Sequence, residues 1–253
     1  EAQADFLAIE AAREGGKPLP DSKAEVARAI DGVKNCVEVL RTDSGREIPM
    51  GLNAASMNRL AFTRKEPIGV VVALSAFNHP LNLAVHQICP GIAAGCPVII
   101  KPAEDTPLSC FRLVKLLIEA GMPEEYVQSC VLADNDLTGK LIADPRVSFL
   151  SFIGSGRVGW MLRSKLPPGA RCALEHGGVA PVNIDESADL DDTLPLIAKG
   201  GFYHAGQVCV SVQKVFAPMA QAREVAERLA ALAQAMKTGD PTLDTSDVGP
   251  LIR

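Results

Sequence analysis

The sequence lacks the features that mark several protein classes. Its longest apolar stretch, residues 68–76, is far shorter than the roughly 20 residues that a membrane-spanning helix needs, and no secretory signal opens the chain. The seven cysteines lie far apart without CxxC or Cys/His ligand spacing, so neither a disulfide framework nor a metal site is expected. Lysines and arginines are scattered, which argues against nucleic-acid binding. We therefore expect a soluble, cytoplasmic protein with a small-molecule partner.

Composition and patterning favour a folded α/β protein. The 253 residues are 47% hydrophobic and carry a formal net charge of −5, which is enough chain to bury one large core or two smaller ones. From residue 66 onward, short apolar runs alternate with helical patterns, as is typical of βαβ units in a parallel sheet. We therefore predict a doubly wound, Rossmann-like sheet. Its strands are residues 70–74, 97–101, 127–132, 147–153 and 171–175, with helices at 83–94 and 107–120.

Further elements are predicted on either side of this sheet. Residues 1–40 have helical spacing with a turn at residues 15–18, and the helix after Lys101 has Thr106 as its N-cap with Pro107 in the first position. A second, shorter α/β pattern follows the paired glycines 177 and 178. We place the domain boundary there, with a first domain at residues 1–175 and part of a second α/β domain at residues 176–253.

A glycine-rich segment follows the predicted strand at residues 147–153. From Gly154 to Gly159 it matches G-x-G-x-x-G between a strand and a helix, where backbone amides approach a pyrophosphate. An ordinary glycine-rich turn is the alternative. Glu175 lies 21 residues after Gly154, near the roughly 20-residue interval at which a Rossmann carboxylate binds the ribose hydroxyls. On this interpretation Glu175 is a cofactor ligand.

A competing ribose ligand lies at the carboxyl end of an earlier strand. There Glu104 offers a carboxylate for the ribose hydroxyls, and Lys101 adds a polar contact. A solvated charge pair in a loop is the alternative. We expect Lys101, Glu104, Gly154 and Ser155 to surround one crevice at the carboxyl ends of the strands.

Two further residues are candidates for chemistry. Cys209 lies in a tight turn before a strand, where a thiol can face a cleft and nearby backbone dipoles favour its thiolate. A lone cysteine is more often structural. Asn78 directly follows the first predicted parallel strand, so its amide could donate to a developing oxyanion, although a turn residue before a helix is the simpler interpretation. None of the four histidines shows paired spacing, and we assign none of them a proton transfer.

Five segments together resemble the aldehyde dehydrogenase superfamily over essentially the whole chain. Residues 76–80 are similar to the family's Pro-Trp-Asn-Phe-Pro, residues 100–104 to its Lys-Pro-Ser-Glu, and residues 152–156 to its Phe-Thr-Gly-Ser-Thr. Residues 174–178 resemble its Leu-Glu-Leu-Gly-Gly, and residues 206–209 its Gly-Gln-x-Cys. The sequence departs from these motifs at Phe77, His79, Ile153, Gly156 and His176.

The resemblance implies a role for each candidate residue. Cys209 is the nucleophile, Glu175 is the general base rather than the ribose ligand, and Asn78 stabilises the oxyanion. The cofactor is NAD, with NADP as the alternative, because the carboxylate of Glu104 would repel a 2′-phosphate. The cofactor-binding residues are then Phe77, Lys101, Glu104, Gly154, Ser155 and Gly159.

The resemblance also implies a reaction and an assembly. An aldehyde is oxidised to a carboxylic acid through a thioester on Cys209, which water activated by Glu175 then hydrolyses. By the same comparison the 253 residues are a fragment, and the full-length protein is a homodimer or a homotetramer. Two rival hypotheses are a Rossmann reductase without a covalent cysteine and a non-catalytic binding protein. The presence of Asn78, Glu175 and Cys209 argues against the second rival.

Overall fold

The chain begins with two helices and a short hairpin. The computed structural model describes residues 1–253. Helix α1 (Ala4–Gly15) and helix α2 (Leu19–Thr42) meet at Gly16, whose φ of 72° is a left-handed conformation that glycine adopts without steric cost. An antiparallel pair of two-residue strands follows, β1 (Glu47–Ile48) and β2 (Ala61–Phe62). The predicted turn between the first two helices is therefore present.

A five-stranded parallel sheet forms the centre of the molecule. From β3 the chain adds β4 and β5 on one side, then returns to place β6 and β7 on the other, which gives the order β5-β4-β3-β6-β7. This is a doubly wound sheet, so the predicted fold class is confirmed. The strand order reverses between β3 and β6, the switch point at which such sheets bind ligands. The strands are β3 (Val70–Leu74), β4 (Val98–Lys101), β5 (Val127–Ser129), β6 (Val147–Gly154) and β7 (Arg171–His176).

Helices cover both faces of the sheet because successive side chains of a strand point to opposite sides. On β3, Val71 and Ala73 belong to one core with the first four helices of the chain, and Val72 and Leu74 belong to a second core on the opposite face. The helices that follow the strands are α3 (Pro80–Ala93), α4 (Leu108–Glu119), α5 (Asn135–Ala143) and α6 (Gly156–Arg163).

The start of α4 differs from the prediction. The helix begins at Leu108, and the Thr106 hydroxyl donates to the Phe77 carbonyl at 3.3 Å instead of capping the helix. The carboxylate of Glu14 on α1 accepts the Leu108 N–H at 2.7 Å and the Ser109 N–H at 2.9 Å. A charged acceptor forms stronger hydrogen bonds than a hydroxyl and also favours the positive end of the helix dipole. Thr106 as N-cap was therefore wrong, because the cap comes from a distant part of the chain.

The remaining residues form a smaller α/β unit. Strands β8 (Val182–Asn183) and β9 (Val215–Phe216) pair in parallel. Helices α7 (Leu190–Phe202) and α8 (Ala222–Ala235) pack with them around a separate apolar cluster. The domain boundary near the glycine pair at residues 177–178 stays a prediction. No helix of the chain has both the length and the apolar composition that crossing a membrane requires.

Candidate active site

A cleft opens where the strands of the sheet end. Its volume is about 1030 Å³, and it is lined by five segments, residues 75–79, 103–105, 151–155, 175–178 and 206–209, among others. These segments lie at or just after the carboxyl ends of β3, β4, β6 and β7 and include the turn that bears the candidate cysteine. The structure therefore brings together seven of the nine predicted site residues: Phe77, Asn78, Glu104, Gly154, Ser155, Glu175 and Cys209. Lys101 and Gly159 do not line the cleft.

The loop after β3 carries Asn78 into the cleft. The buried Oδ1 atom of Asn78 has no hydrogen-bond partner, so the protein does not fix this side chain through its oxygen. The main chain of the loop is fixed instead. Lys17 Nζ donates to the Asn78 carbonyl at 3.1 Å, and the Thr106 hydroxyl donates to the Phe77 carbonyl at 3.3 Å.

Behind this loop lies a buried charged cluster that the sequence did not reveal. Lys17 forms an ion pair with Glu25, and their side chains are 1% and 0% exposed. Glu25 Oε1 also accepts the backbone N–H groups of Leu81 and Asn82 at 2.9 Å, at the start of α3. Burial lowers the pKa of Lys17, and the charge of Glu25 opposes that shift.

His79 completes this cluster as a neutral side chain. Its Nδ1 lies 3.0 Å from Lys17 Nζ, and its ring stacks on Tyr203 with the centroids 6.0 Å apart. Burial, followed by the charge of Lys17, lowers the pKa of His79 to about 3. The neutral ring therefore accepts a hydrogen bond from the lysine at neutral pH.

A turn with an unusual backbone presents Cys209. His204, Ala205 and Gly206 have φ values of 48°, 56° and 75°, so three consecutive residues are left-handed. The side chain of the next residue, Gln207, holds the turn: its Nε2 donates to the His204 carbonyl at 3.2 Å, and its Oε1 accepts the Ile252 N–H at 3.0 Å. Cys209 is the only exposed cysteine of the seven. Its backbone N–H donates to no backbone carbonyl.

Glu175 lies at the end of the edge strand β7, with its side chain exposed in the cleft. The chain after β7 runs beside the segment that follows Cys209. There the Gln213 backbone N–H donates to the Val179 carbonyl at 3.0 Å, and the Gln213 side chain donates to the Gly178 carbonyl at 3.2 Å. The candidate base and the candidate nucleophile therefore come from neighbouring segments of one cleft.

Glu104 is the first carboxylate after β4 in the sequence. Burial raises its pKa, but the hydrogen bond and the charge from Lys101 outweigh that effect, so the pKa lies below its ordinary value. The Lys101 ammonium forms an ion pair with Glu104, and its own side chain is only 11% exposed. Lys101 thus does not line the cleft itself and contacts a residue that does, Glu104.

Two of the three glycines of the glycine-rich segment differ in position. Gly154 lines the cleft, with its backbone so close to Phe152 that a Cβ atom would come 2.7 Å from the ring. Gly159 is buried in α6, where a Cβ atom would collide with the His176 ring and come 2.9 Å from the Phe152 ring. Gly159 therefore permits close packing of the helix on the sheet. Its role in cofactor binding stays a prediction.

A further polar contact holds the switch point of the sheet. The buried Gln87 side chain on α3 donates to the Leu74 carbonyl at 3.1 Å and to the Ser151 carbonyl at 3.0 Å. It thereby links β3 and β6 at the place where the strand order reverses. Sequence reasoning missed Gln87, Lys17 and Glu25, because each acts on a residue far away in the chain.

The architecture and the cleft define a class: an α/β protein with a doubly wound sheet, a ligand-sized cleft at its switch point and an exposed cysteine in that cleft. The family model described as the aldehyde dehydrogenase family matches residues 1–253. The chain belongs to the aldehyde dehydrogenase family.

Curated relatives are of greater length. The chain is 35% identical over 252 residues to the 3-sulfolactaldehyde dehydrogenase of Priestia aryabhattai, covering 99% of this chain and 52% of that protein. It is 36% identical over 256 residues to the lactaldehyde dehydrogenase of Methanocaldococcus jannaschii, covering 98% of this chain and 52% of that protein. The chain thus spans about half the length of the curated relatives it matches.

Solved structures share the fold. The glyceraldehyde-3-phosphate dehydrogenase of Methanocaldococcus jannaschii, solved with NADP, superposes with a TM-score of 0.92 at 33% identity, covering 99% of this chain and 54% of that one. An NAD-dependent aldehyde dehydrogenase from Sinorhizobium meliloti superposes with a TM-score of 0.92 at 30% identity, covering 100% of this chain and 50% of that one.

Proposed function

We propose that this chain provides the cofactor cleft and the reacting cysteine of an NAD(P)-dependent aldehyde dehydrogenase, which oxidises an aldehyde to a carboxylic acid through a covalent intermediate on Cys209. One observation carries the proposal: Asn78, Glu175 and Cys209 lie far apart in the sequence and line one cleft. An amide donor, a carboxylate and a thiol are the groups that acyl chemistry on a thiol needs.

The cleft fits a nicotinamide dinucleotide. It lies at the switch point of a doubly wound sheet, and its volume of about 1030 Å³ is at the upper end of the range for small-molecule sites. Ser155 forms no side-chain hydrogen bond at the start of α6, which leaves the first amides of that helix available to a phosphate. Glu104 would hold the ribose hydroxyls, supported by Lys101. When bound, the dinucleotide supplies the acceptor for a hydride.

The first step is acylation of Cys209. The thiolate attacks the carbonyl carbon of the aldehyde, and the electron pair of the carbonyl moves to its oxygen. Two groups of this chain can donate to that oxyanion, the Asn78 side-chain amide and the Cys209 backbone N–H. Collapse of the tetrahedral adduct expels the aldehyde hydrogen as hydride and leaves a thioester on Cys209.

The second step is hydrolysis of that thioester. Glu175 takes a proton from a water molecule, whose oxygen attacks the thioester carbonyl. The carbon–sulfur bond then breaks, the carboxylic acid leaves and the Cys209 thiolate is restored. Glu175 is exposed and lines the cleft, which leaves its carboxylate open to water in this chain.

The names of two relatives refer to 3-sulfolactaldehyde and lactaldehyde, so we propose small, polar aldehydes as the first class to test. The cytoplasmic location and the assembly as a homodimer or homotetramer stay predictions.

An aldehyde panel tests the proposal. The full-length protein is assayed with NAD and with NADP in parallel, and the reduced cofactor is followed. We expect at least one aldehyde to be oxidised, Cys209→Ser to abolish turnover while cofactor binding persists, and Cys36→Ser on α2 to behave as the wild type. Turnover by Cys209→Ser would contradict the covalent mechanism, and no reduction with any aldehyde would contradict the proposed activity.

A further inference from the structure

Two main-chain carbonyls of the Asn78 loop accept hydrogen bonds from other parts of the fold. Lys17, in the turn between α1 and α2, donates to the Asn78 carbonyl. Thr106, before α4, donates to the Phe77 carbonyl. Because Asn78 Oδ1 has no partner of its own, the direction of the amide depends on the backbone that these two donors hold.

The two donors are themselves held in place. Lys17 is 1% exposed and is bound on two sides, by the Glu25 carboxylate and by His79 Nδ1 at 3.0 Å. Glu25 in turn binds the first amides of α3, the helix that starts directly after the loop. Thr106 is also 1% exposed, and its hydroxyl has the Phe77 carbonyl as its acceptor. Neither donor can turn to solvent without breaking buried polar contacts.

We propose that Lys17 and Thr106 are positioning residues that aim the Asn78 amide at the oxyanion, an inference that rests on the proposed function of Asn78. An oxyanion donor acts only if it lies at hydrogen-bond distance from the position the oxyanion will occupy. A misplacement of about 1 Å can cost roughly a hundredfold in rate. Lys17 and Thr106 do not line the cleft, so they act on it only through the loop.

A double-mutant cycle on the full-length protein tests this. The rate of the first burst of reduced cofactor is measured at saturating aldehyde and saturating cofactor. Thr106→Val removes the hydroxyl with little change of shape. Lys17→Met is made together with Glu25→Gln, so that neither charge is left buried without its partner, and the pair is treated as one change. Each change is made in the wild type and in Asn78→Ala, with the exposed Lys23→Met on α2 as the matched control.

The expected result is non-additive. Thr106→Val should slow the burst about threefold to tenfold, and the Lys17→Met/Glu25→Gln pair about tenfold or more. In Asn78→Ala each change should have less than roughly a twofold effect. Equal slowing in both backgrounds, or no slowing in the wild type, overturns the proposal. If the Lys17 variant does not fold, as its thermal unfolding would show, the Thr106→Val cycle decides alone. An unchanged burst in Asn78→Ala would contradict both the positioning role of Lys17 and Thr106 and the oxyanion role of Asn78. The covalent mechanism is tested separately, because turnover by Cys209→Ser would contradict it.

Discussion

Gly178 lies directly beside the main chain of Cys209: a Cβ atom at Gly178 would come 3.6 Å from the Cys209 carbonyl oxygen. Gly178 follows Glu175 by three residues, so this close approach brings the segment of the carboxylate against the turn of the thiol. A side chain at position 178 would stand between the two segments. The separation of 34 residues in the sequence between Glu175 and Cys209 thus becomes a local relationship within one cleft.

Alkylation should select Cys209 among the seven cysteines. It is the only exposed one, whereas burial raises the pKa of both Cys89 and Cys110 to about 12. Because the thiolate is the reacting form, we expect iodoacetamide to modify Cys209 first and turnover to fall in parallel. Peptide mass spectrometry over a time course measures this, and first modification of any other cysteine would contradict it.

Replacement of Asn78 should slow acylation. If its amide donates to the oxyanion, Asn78→Ala should lower the burst rate about a hundredfold or more, the effect of removing one such donor. Rapid-mixing kinetics measure the burst, and the exposed Asn183→Ala on β8 is the matched control. An unchanged rate in Asn78→Ala would leave Asn78 as a turn residue.

Replacement of Glu175 should separate the two steps of the reaction. Without a base the thioester reacts slowly with water, so Glu175→Gln should release one equivalent of reduced cofactor per site and then nearly stall. Intact mass spectrometry should find the acyl group retained on Cys209. In a reductase that uses Glu175 to bind ribose, the same change would weaken cofactor binding and trap no acyl group. The exposed Glu186→Gln serves as control.

Replacement of Glu104 should weaken cofactor binding without trapping an acyl group, which is the opposite of the result expected for Glu175. Its ion pair with Lys101 keeps the pKa of the carboxyl low, so the group is ionised and can accept both ribose hydroxyls. We expect Glu104→Gln to weaken NAD binding about tenfold, the effect of losing a charge-assisted hydrogen bond. We also expect the preference for NAD over NADP to narrow, with no trapped acyl group. Titration calorimetry measures both, and Glu119→Gln on α4 should bind NAD as the wild type does.

Acid should destabilise the fold through His79. Its pKa is about 3 in the native state and about 6.5 in an unfolded chain. Between these values the unfolded state binds the proton and the native state does not, so the stability falls as the pH is lowered from 6.5 towards 3. The slope is at most about 1.4 kcal/mol per pH unit for one histidine. Denaturant titrations of His79→Asn should show a shallower pH dependence than the wild type. The exposed His86→Asn should not.

Local patterns were sufficient to predict the sheet. The strand predicted at residues 70–74 is β3, and the one predicted at residues 171–175 is one residue shorter than β7. These strands are recognisable because a parallel sheet covered on both faces needs continuous apolar runs. Helix α5 was not predicted, because its nine residues contribute only three to the buried set. In the smaller unit, only residues 215 and 216 of the apolar run at residues 212–216 form a strand, which is β9.

The residues that hold the candidate site in place could not be predicted from such local patterns. Asn78 and Cys209 were found from their own turns and motifs. Lys17 acts on a carbonyl 61 residues away and Glu14 on an amide 94 residues away, and contacts over such separations leave no periodic trace in the sequence. The glycine-rich segment was recognised, but the close packing of Gly159 against His176 depends on how helix and strand meet.

The left-handed turn before Cys209 lowers the stability of the chain but fixes the orientation of the Cys209 side chain. His204 and Ala205 both adopt positive φ, which costs a residue with a Cβ atom about 1–2 kcal/mol. Such a conformation persists only because contacts around it, such as those of Gln207, hold it. Replacement of Ala205 by glycine would relieve the local strain, but it would also allow the Cys209 side chain to adopt more orientations. On the proposed role of Cys209, selection for stability alone would therefore favour a residue that relaxes the turn, whereas selection for turnover would preserve the strained turn.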